Sequence, residues 1–434
     1  ASISVDGNMI VSGITTIGGD IKVGSGVTVG KDGDIFATGV TTSSTVKVGG
    51  GVTISESGIE ASGIGITCAN INGTQIGGRR NIVINGAMNV AQRATSYTGA
   101  DNYTTVDRFE VYHTGLNENV TTNQADVSSG TSPYTEGFRK SYKLTNGNQT
   151  DGAGAGDQLF LRTRLEAKDL AASGWNYTST SSFITLSFWV KTSVAQTYYM
   201  RVEAYDGTMQ NFPFPITLSA NTWTKIVKTI PGNSNVQFDF NESKGLGITW
   251  ELFQGTNNTA SSSTDNVWQA YVGSTRTKDQ TSTFYTTNDA TYEITGVQLE
   301  VGSQATAFEH RTFGEELSLC QRYYQILATG SNKYWGGTAC NYTTNQLYMP
   351  IQFKTEMRTT PTLLFTTGSA YYQIYDSVNT GGINITRPTD IRYVDQRGGS
   401  IYVGASYVSG LTAGDASLFF AYNSNAFIAV EAEL

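Results

Sequence analysis

Charge is what this 434-residue sequence has least of. Asp, Glu, Lys and Arg make up 15% of it, against about 25% in an ordinary globular domain. The balance is acidic, with a net charge of -8. That argues against a nucleic-acid partner, which needs a basic face to displace counterions from phosphates. Apolar runs are short as well, and none approaches the roughly 18 residues of a membrane span. Cysteine is scarce: Cys68, Cys320 and Cys340 form neither a disulfide framework nor a metal-knuckle spacing. Histidine occurs twice, at His113 and His310. Neither sits in an HExxH or GxSxG context, so zinc hydrolysis and serine hydrolysis find no machinery. His310 reads as a structural hydrogen-bonding residue. Gly152–Gly156 has the wrong spacing and neighbours for a phosphate loop. No basic start followed by an apolar core opens the sequence; a protein set free by lysis and a cytosolic protein would both show this.

Glycine, the hydroxyl residues, asparagine and aromatics are what the sequence does have, with 48 Gly and 24 Tyr. This is a β-rich, turn-rich composition, and the reading is mainly β. Residues 1–78 stand apart, with 18 Gly and a single aromatic, Phe36. They also repeat. The run Lys22–Val29 returns as Lys47–Ile54, 25 residues on, and Ser12–Thr16 matches Thr38–Thr42. Each unit reads as short β-branched strands broken by glycine turns. So few apolar residues cannot close a core within one chain, and stacked units need neighbours. The expectation is a β-repeat shaft completed by other copies of the chain.

Residues 79–311 read as a jelly-roll sandwich. The strand-like runs are Asn81–Met88, Arg108–Tyr112, Lys140–Leu144, Gln158–Leu165, Phe183–Lys191, Tyr198–Tyr205, Thr222–Ile230, Val236–Phe240, Gly247–Phe253 and Tyr292–Val301. A short helical turn is expected within Leu165–Ala172. Residues 312–327 read as a connecting helix. Phe313, Leu317, Cys320, Tyr324 and Leu327 fall at steps of four and three, and Thr312 with Glu315 makes a capping box. Cys320 then lies on the apolar stripe as a small core residue. Residues 328–434 form a tyrosine-rich C-terminal β-sandwich, the tip.

Three segments carry a family resemblance. The closing run Ile294–Gln325 resembles the segment that ends the β-sandwich of many bacteriophage tail-fibre and related virion appendage proteins. The runs Arg79–Tyr97 and Val106–Tyr112 resemble the opening of the same module, so the match covers roughly Asn81 to Gln325. The order of the central strands also resembles carbohydrate-binding jelly rolls. This resemblance implies a homotrimeric virion fibre, attached through its N-terminal end to other virion proteins such as a tail or adaptor. Its far end would meet a host surface polysaccharide or lipopolysaccharide. Jelly rolls of this kind often hold Ca²⁺, and the loop Asp151–Asp157 offers oxygen ligands without an EF-hand spacing.

Sugar rings stack on aromatic faces, so the residues expected to bind a receptor are the tip aromatics Tyr334, Trp335, Tyr371, Tyr372 and Tyr375. Adjacent strand residues point to opposite faces, which exposes one member of each pair. Trp175, Trp223, Trp250 and Trp268 are further candidates, whereas Trp189 reads as core. Glycoside hydrolysis would need two carboxyls across a cleft. Pairs such as Asp239 with Glu242, or Glu203 with Asp206, do not stand out from solvated charges. No enzymatic activity is therefore expected. A purely decorative appendage and a tailspike depolymerase are the alternatives.

Overall fold

The computed structural model describes residues 79–330, 333–334 and 338–434, together with short strands within residues 21–75. The chain divides into two compact units, Ala1–Ala69 and Asn70–Leu434. In the first, Ile21–Val23, Val27–Val29 and Ile35–Ala37 form a three-stranded antiparallel meander. Thr45–Val48, Val52–Ser55 and Gly58–Ala61 form a second one. The 25-residue repeat is thus one meander per unit, as β-branched runs separated by glycines dictate.

The second unit begins with a sandwich of two six-stranded antiparallel sheets. One runs Glu110–Thr114, Gln158–Glu166, Lys244–Gln254, Gln196–Ala204, Gln210–Leu218, Gln269–Ala270. The other runs Thr224–Pro231, Phe183–Thr192, Thr291–Val301, Lys140–Thr145, Thr121–Asp126, Ser96–Thr98. The chain crosses repeatedly between them. Alternate residues of each strand enter a single core, including Leu161, Met200, Phe214, Trp250, Ile184 and Leu299. The short helical turn is Ala167–Ala171. Trp175 and Trp250 belong to this core, and Trp189 is buried in a smaller cluster beside Phe138.

Two expected strands are absent. Val236–Phe240 is irregular, and Asn81–Met88 is a loop. Asn85 and Met88 adopt left-handed backbone, at φ 61° and 59°. The loop lies directly on the Thr291–Val301 strand: Ile82 N donates to Leu299 O at 2.9 Å, and Val297 N donates to Gly86 O at 2.9 Å. A Cβ at Gly86 would sit 2.0 Å from Val297 O, so no larger residue fits.

The helix is shorter than its stripe. It spans Phe313–Gln321, and its capping box is present as read from Thr312 and Glu315. Cys320 is fully buried, but Phe313 is exposed. Tyr324 and Leu327 are not helical; they belong to the strand Tyr324–Thr329, which pairs with Phe427–Glu431. Among the described residues no helix is long and apolar enough to cross a membrane.

After the helix come two more sheets. Phe427–Glu431 lies between Tyr324–Thr329 and Thr362–Phe365. An eight-stranded sheet is built around Ala416–Ala421, Ala339–Thr343, Gln346–Gln352 and Gly398–Val403. Leu347, Met349, Ile374, Ile401 and Phe419 fill the space between.

Charged side chains fasten this part to the sandwich. Arg108 pairs with Glu433, and its guanidinium lies 3.4 Å from the Tyr323 ring centre. Arg93 pairs with Glu431 at 2.7 Å and with Glu433 at 3.1 Å, over the Tyr324 ring. Glu166, fully buried, takes Arg322 Nε at 2.7 Å, Arg322 Nη2 at 2.9 Å and the Tyr323 hydroxyl at 2.6 Å. Burial alone would raise the Glu166 carboxyl, but Arg322 and Tyr323 overcome it and hold the group below its ordinary value. The folded state therefore gives up this proton more readily than the unfolded chain. The clamp's contribution is complete above about pH 4.5, the ordinary value, and is lost as pH falls through the depressed one. The expected result is that lowering the pH from 7 to 3 reduces the wild-type unfolding midpoint more than that of Glu166→Gln. Parallel losses in the two proteins would rule Glu166 out as the cause.

Candidate functional site

Strand alternation that sends one side of the Glu110–Thr114 sheet into the core leaves the other side facing outward. On Gln158–Glu166 the outward residues are Gln158, Phe160, Arg162 and Arg164. On Gln196–Ala204 they are Tyr199, Arg201 and Glu203, which lie opposite Glu251, Thr249 and Gly247 of the central strand. This face is polar and charged where its reverse is mostly apolar. An open groove of about 310 Å³ runs over it, lined by Tyr112, Phe160, Tyr205, Lys244, Tyr271 and Arg276 among others.

The floor is ionic. Arg201 lies between Glu203 and Glu251 and pairs with both, and all three are buried. Burial opposes the charge on Arg201, yet the two carboxylates hold it above its ordinary value. Thr249 Oγ1 donates to Glu203 at 3.2 Å, and Gln254 Nε2 donates to Glu251. Every charge in the floor is thus bonded, so side chains that would otherwise seek water are held flat.

The walls are aromatic. Tyr112 and Phe160 stack at 4.7 Å with 19° between their planes, and the Arg162 guanidinium lies 5.1 Å from the Phe160 ring. Tyr205 lies across Gly247, where a Cβ would meet its hydroxyl oxygen at 2.4 Å. Its hydroxyl donates to Glu203 at 3.3 Å, and Lys244 Nζ sits 4.7 Å from its ring centre. Burial and the Glu203 charge push the Tyr205 hydroxyl well above its ordinary value, so it stays protonated and remains a donor. Burial, with Arg164 and Arg162 nearby, lowers Lys244. At the far end Arg276 Nη1 donates to Gln158 at 2.7 Å. Rings that offer a flat face, beside fixed amides, hydroxyls and charges, can hold a polyhydroxylated ligand by stacking and hydrogen bonding together.

Of the aromatics expected to serve a receptor, Tyr371, Tyr372 and Tyr375 lie in the C-terminal domain and not in this groove. Tyr372 is fully buried in the C-terminal core, its hydroxyl donating to Thr366 O at 2.9 Å and Phe427 O at 2.8 Å. Strand alternation does separate it from half-buried Tyr371, but the fold then packs Tyr371 against the same core. Tyr375 is half-buried, stacked on Phe420 at 5.2 Å. Tyr334 belongs to the strand Lys333–Tyr334, and Trp335 lies outside the described residues. Among the described residues the most exposed tyrosines of this domain are Tyr342 and Tyr393, on either side of Tyr348.

Other expected sites resolve into structural roles. His310 Nε2 bonds Glu136 O at 2.9 Å between Phe138 and Phe308. Asp151 accepts from Asn117 Nδ2 at 2.6 Å, and Asp157 from Gly154 N at 2.6 Å and Tyr285 at 3.1 Å. Among the described residues no group of three or more His, Cys, Asp or Glu is placed to hold a metal ion. The groove residues were visible in sequence only as polar insertions at every second position of otherwise apolar strands, above all Tyr199, Arg201, Glu203 and Tyr205.

No protein-family model matches the chain, and the comparison with curated proteins finds no match either. Solved structures give similarities at low identity. One is the family 11 carbohydrate-binding module of a cellulosomal cellulase of Clostridium thermocellum, at 12% identity and a TM-score of 0.23, covering 50% of this chain and 98% of that one. A putative sugar binding protein of Bacteroides thetaiotaomicron is 10% identical with a TM-score of 0.25, covering 51% and 99%. A cyclase from Fischerella is 10% identical with a TM-score of 0.29, covering 52% and 98%. Binding modules and an enzyme thus stand side by side among them.

Proposed function

We propose that this chain is a structural virion fibre, of the tail-fibre kind, that recognises a cell-surface glycan through its sandwich. The observation that carries glycan binding is the groove on the outer sheet face. Half-buried Tyr112, Tyr205 and Tyr271 offer ring faces, with buried Phe160 stacked behind Tyr112, above a floor whose charges are already paired. The virion assignment rests on the resemblance of Arg79–Tyr97, Val106–Tyr112 and Ile294–Gln325 to tail-fibre proteins. The repeated meanders within residues 21–61 support a shaft built with neighbouring copies. In this reading the protein is a homotrimer, joined to the particle through its N-terminal region, and catalyses nothing. Weak stacking contacts repeated on three chains then give avidity that one site lacks.

The test is retention of the full-length protein on a panel of immobilised bacterial polysaccharides, with light scattering to confirm the mass of three chains. Tyr112→Ala with Tyr271→Ala is expected to weaken retention by about tenfold or more, since each lost stacking contact is worth on the order of 1 kcal/mol. Tyr375→Ala is expected to leave retention unchanged. Undiminished retention by the groove variant would move the site elsewhere. Release of reducing sugar from a bound polysaccharide would replace the reading with a depolymerase.

A further inference from the structure

The groove belongs to a protein of net charge -8, yet its lining is cationic. Arg162, Arg201, Lys244 and Arg276 line it, against one carboxylate, Glu203. Ion pairing divides the four. Arg201 is consumed by Glu203 and Glu251, and Arg162 is bound to Glu110 at 2.7 Å. Lys244 and Arg276 differ: among the described residues neither has a carboxylate within ion-pair distance. Lys244 rests on the Tyr205 ring. Arg276 is held by neutral amides, Gln158 at 2.7 Å and Gln254 at 3.4 Å, and its Nε is buried with no partner.

These two cations stand at opposite ends of the groove. Lys244 enters where the central strand pairs with Glu166, and Gln254, which meets Arg276, lies where it pairs with Gln158. Ten residues of strand separate the two positions, roughly 33 Å of backbone, from which the long side chains reach inward over a common floor. A neutral sugar leaves both charges without a counter-ion, whereas an acidic one neutralises them in a partly dried site.

We infer that the groove takes an acidic polysaccharide, with Lys244 and Arg276 each receiving an anionic substituent while the aromatic rings stack on the sugars between. This inference rests on the glycan reading above and narrows it to one ligand class. The anion is the carboxylate of a uronic acid or a phosphate substituent. Both meet the same two cations.

The full-length protein should be titrated with carboxylate-bearing polygalacturonate and with a phosphate-substituted mannan. Each is compared with its masked or bare counterpart, methyl-esterified polygalacturonate and unsubstituted mannan. The expected result is binding of at least one acidic polymer, about tenfold weaker binding of its neutral counterpart, and weakening as salt rises from 50 to 200 mM. The polymer that shows the difference identifies the anion. Lys244→Gln, a change at an exposed side chain, should lower affinity for that polymer severalfold and shrink its preference over the neutral counterpart. Arg276→Gln should do the same with a normal thermal midpoint. Equal affinity for acidic and neutral polymers would overturn the inference and leave glycan binding standing. Failure to bind any of the four, or the wider panel, overturns both.

Discussion

Arg201→Ala should lower the free energy of unfolding by about 3–5 kcal/mol, the cost of removing one partner from a buried ionic group. Glu203 and Glu251 are then left side by side beneath the groove, both buried, with no cation between them. Urea unfolding monitored by tryptophan fluorescence reads this directly, because Trp250 lies next in sequence to Glu251 and is fully buried. Replacing all three charges together with apolar residues of similar volume should recover most of the loss, since nothing charged then remains to be desolvated. A loss within experimental error for Arg201→Ala alone would show that water reaches the triad. The triple replacement should still abolish polysaccharide retention, because the groove would have lost its fixed floor.

The second large effect belongs to Arg108. Its side chain is buried, pairs with Glu433, donates to Arg164 O at 2.7 Å and covers Tyr323. Its backbone is left-handed, at φ 71°, which costs a non-glycine residue about 1 kcal/mol. Arg108→Ala keeps the strain and removes the clamp, so a loss of about 3–5 kcal/mol is expected. Arg108→Gly removes both and should be about 1 kcal/mol milder. Limited proteolysis separates this from a general loss of stability: cleavage after Tyr323 should accelerate in both variants before the sandwich opens. Equal stability of the two variants would show that the backbone at residue 108 is unstrained.

Local signals survived folding well where the chemistry was itself local. The Thr312–Glu315 cap is made by neighbours in sequence, and the helix starts where that cap places it. Its end is not local. Tyr324 and Leu327 are withdrawn from the helical stripe because the Phe427–Glu431 strand takes them, with Arg93 over Tyr324 and Arg108 over neighbouring Tyr323, partners far away in sequence. Gln210–Leu218 escaped notice because Pro213 and Pro215 argue against a strand. They are tolerated because the next strand, Gln269–Ala270, pairs only with Gln210 and Asn211 and leaves the proline edge without a ladder. Thr121–Asp126 is polar and lies next to the sheet edge, so it lacks the apolar alternation that marks a central strand.

The site was harder to read than the fold. A pair such as Tyr371-Tyr372 announces that its members face opposite ways, but not which layer covers each face. Tyr372 lies in the core, and the wall of the groove comes from Tyr112, Phe160 and Tyr205, strand residues whose outer faces the sequence pattern does not specify. Arg201 and Glu203 inside a run such as Tyr198–Ala204 were the stronger sign. Charges at alternate positions of an apolar strand require partners, and a sheet face that supplies those partners has a built surface.

The hydrogen bond from Ala432 N to Tyr323 O, 2.7 Å long, brings the start and the end of the C-terminal segment together. Tyr324–Thr329 leads away from the helix, and Phe427–Glu431 returns antiparallel beside it, with a bulge between Ile326 and Ala328. Within the segment between them, Thr362–Phe365 pairs with the other side of Phe427–Glu431, and Arg358 donates to Glu242 O at 2.8 Å and to Glu433 O at 2.7 Å. A segment with adjoining ends can be exchanged for another of unrelated shape without shifting the sandwich, provided those contacts and the two strands are kept. The groove would stay constant through an exchange of residues 330–426 that retains Arg358 and Thr362–Phe365.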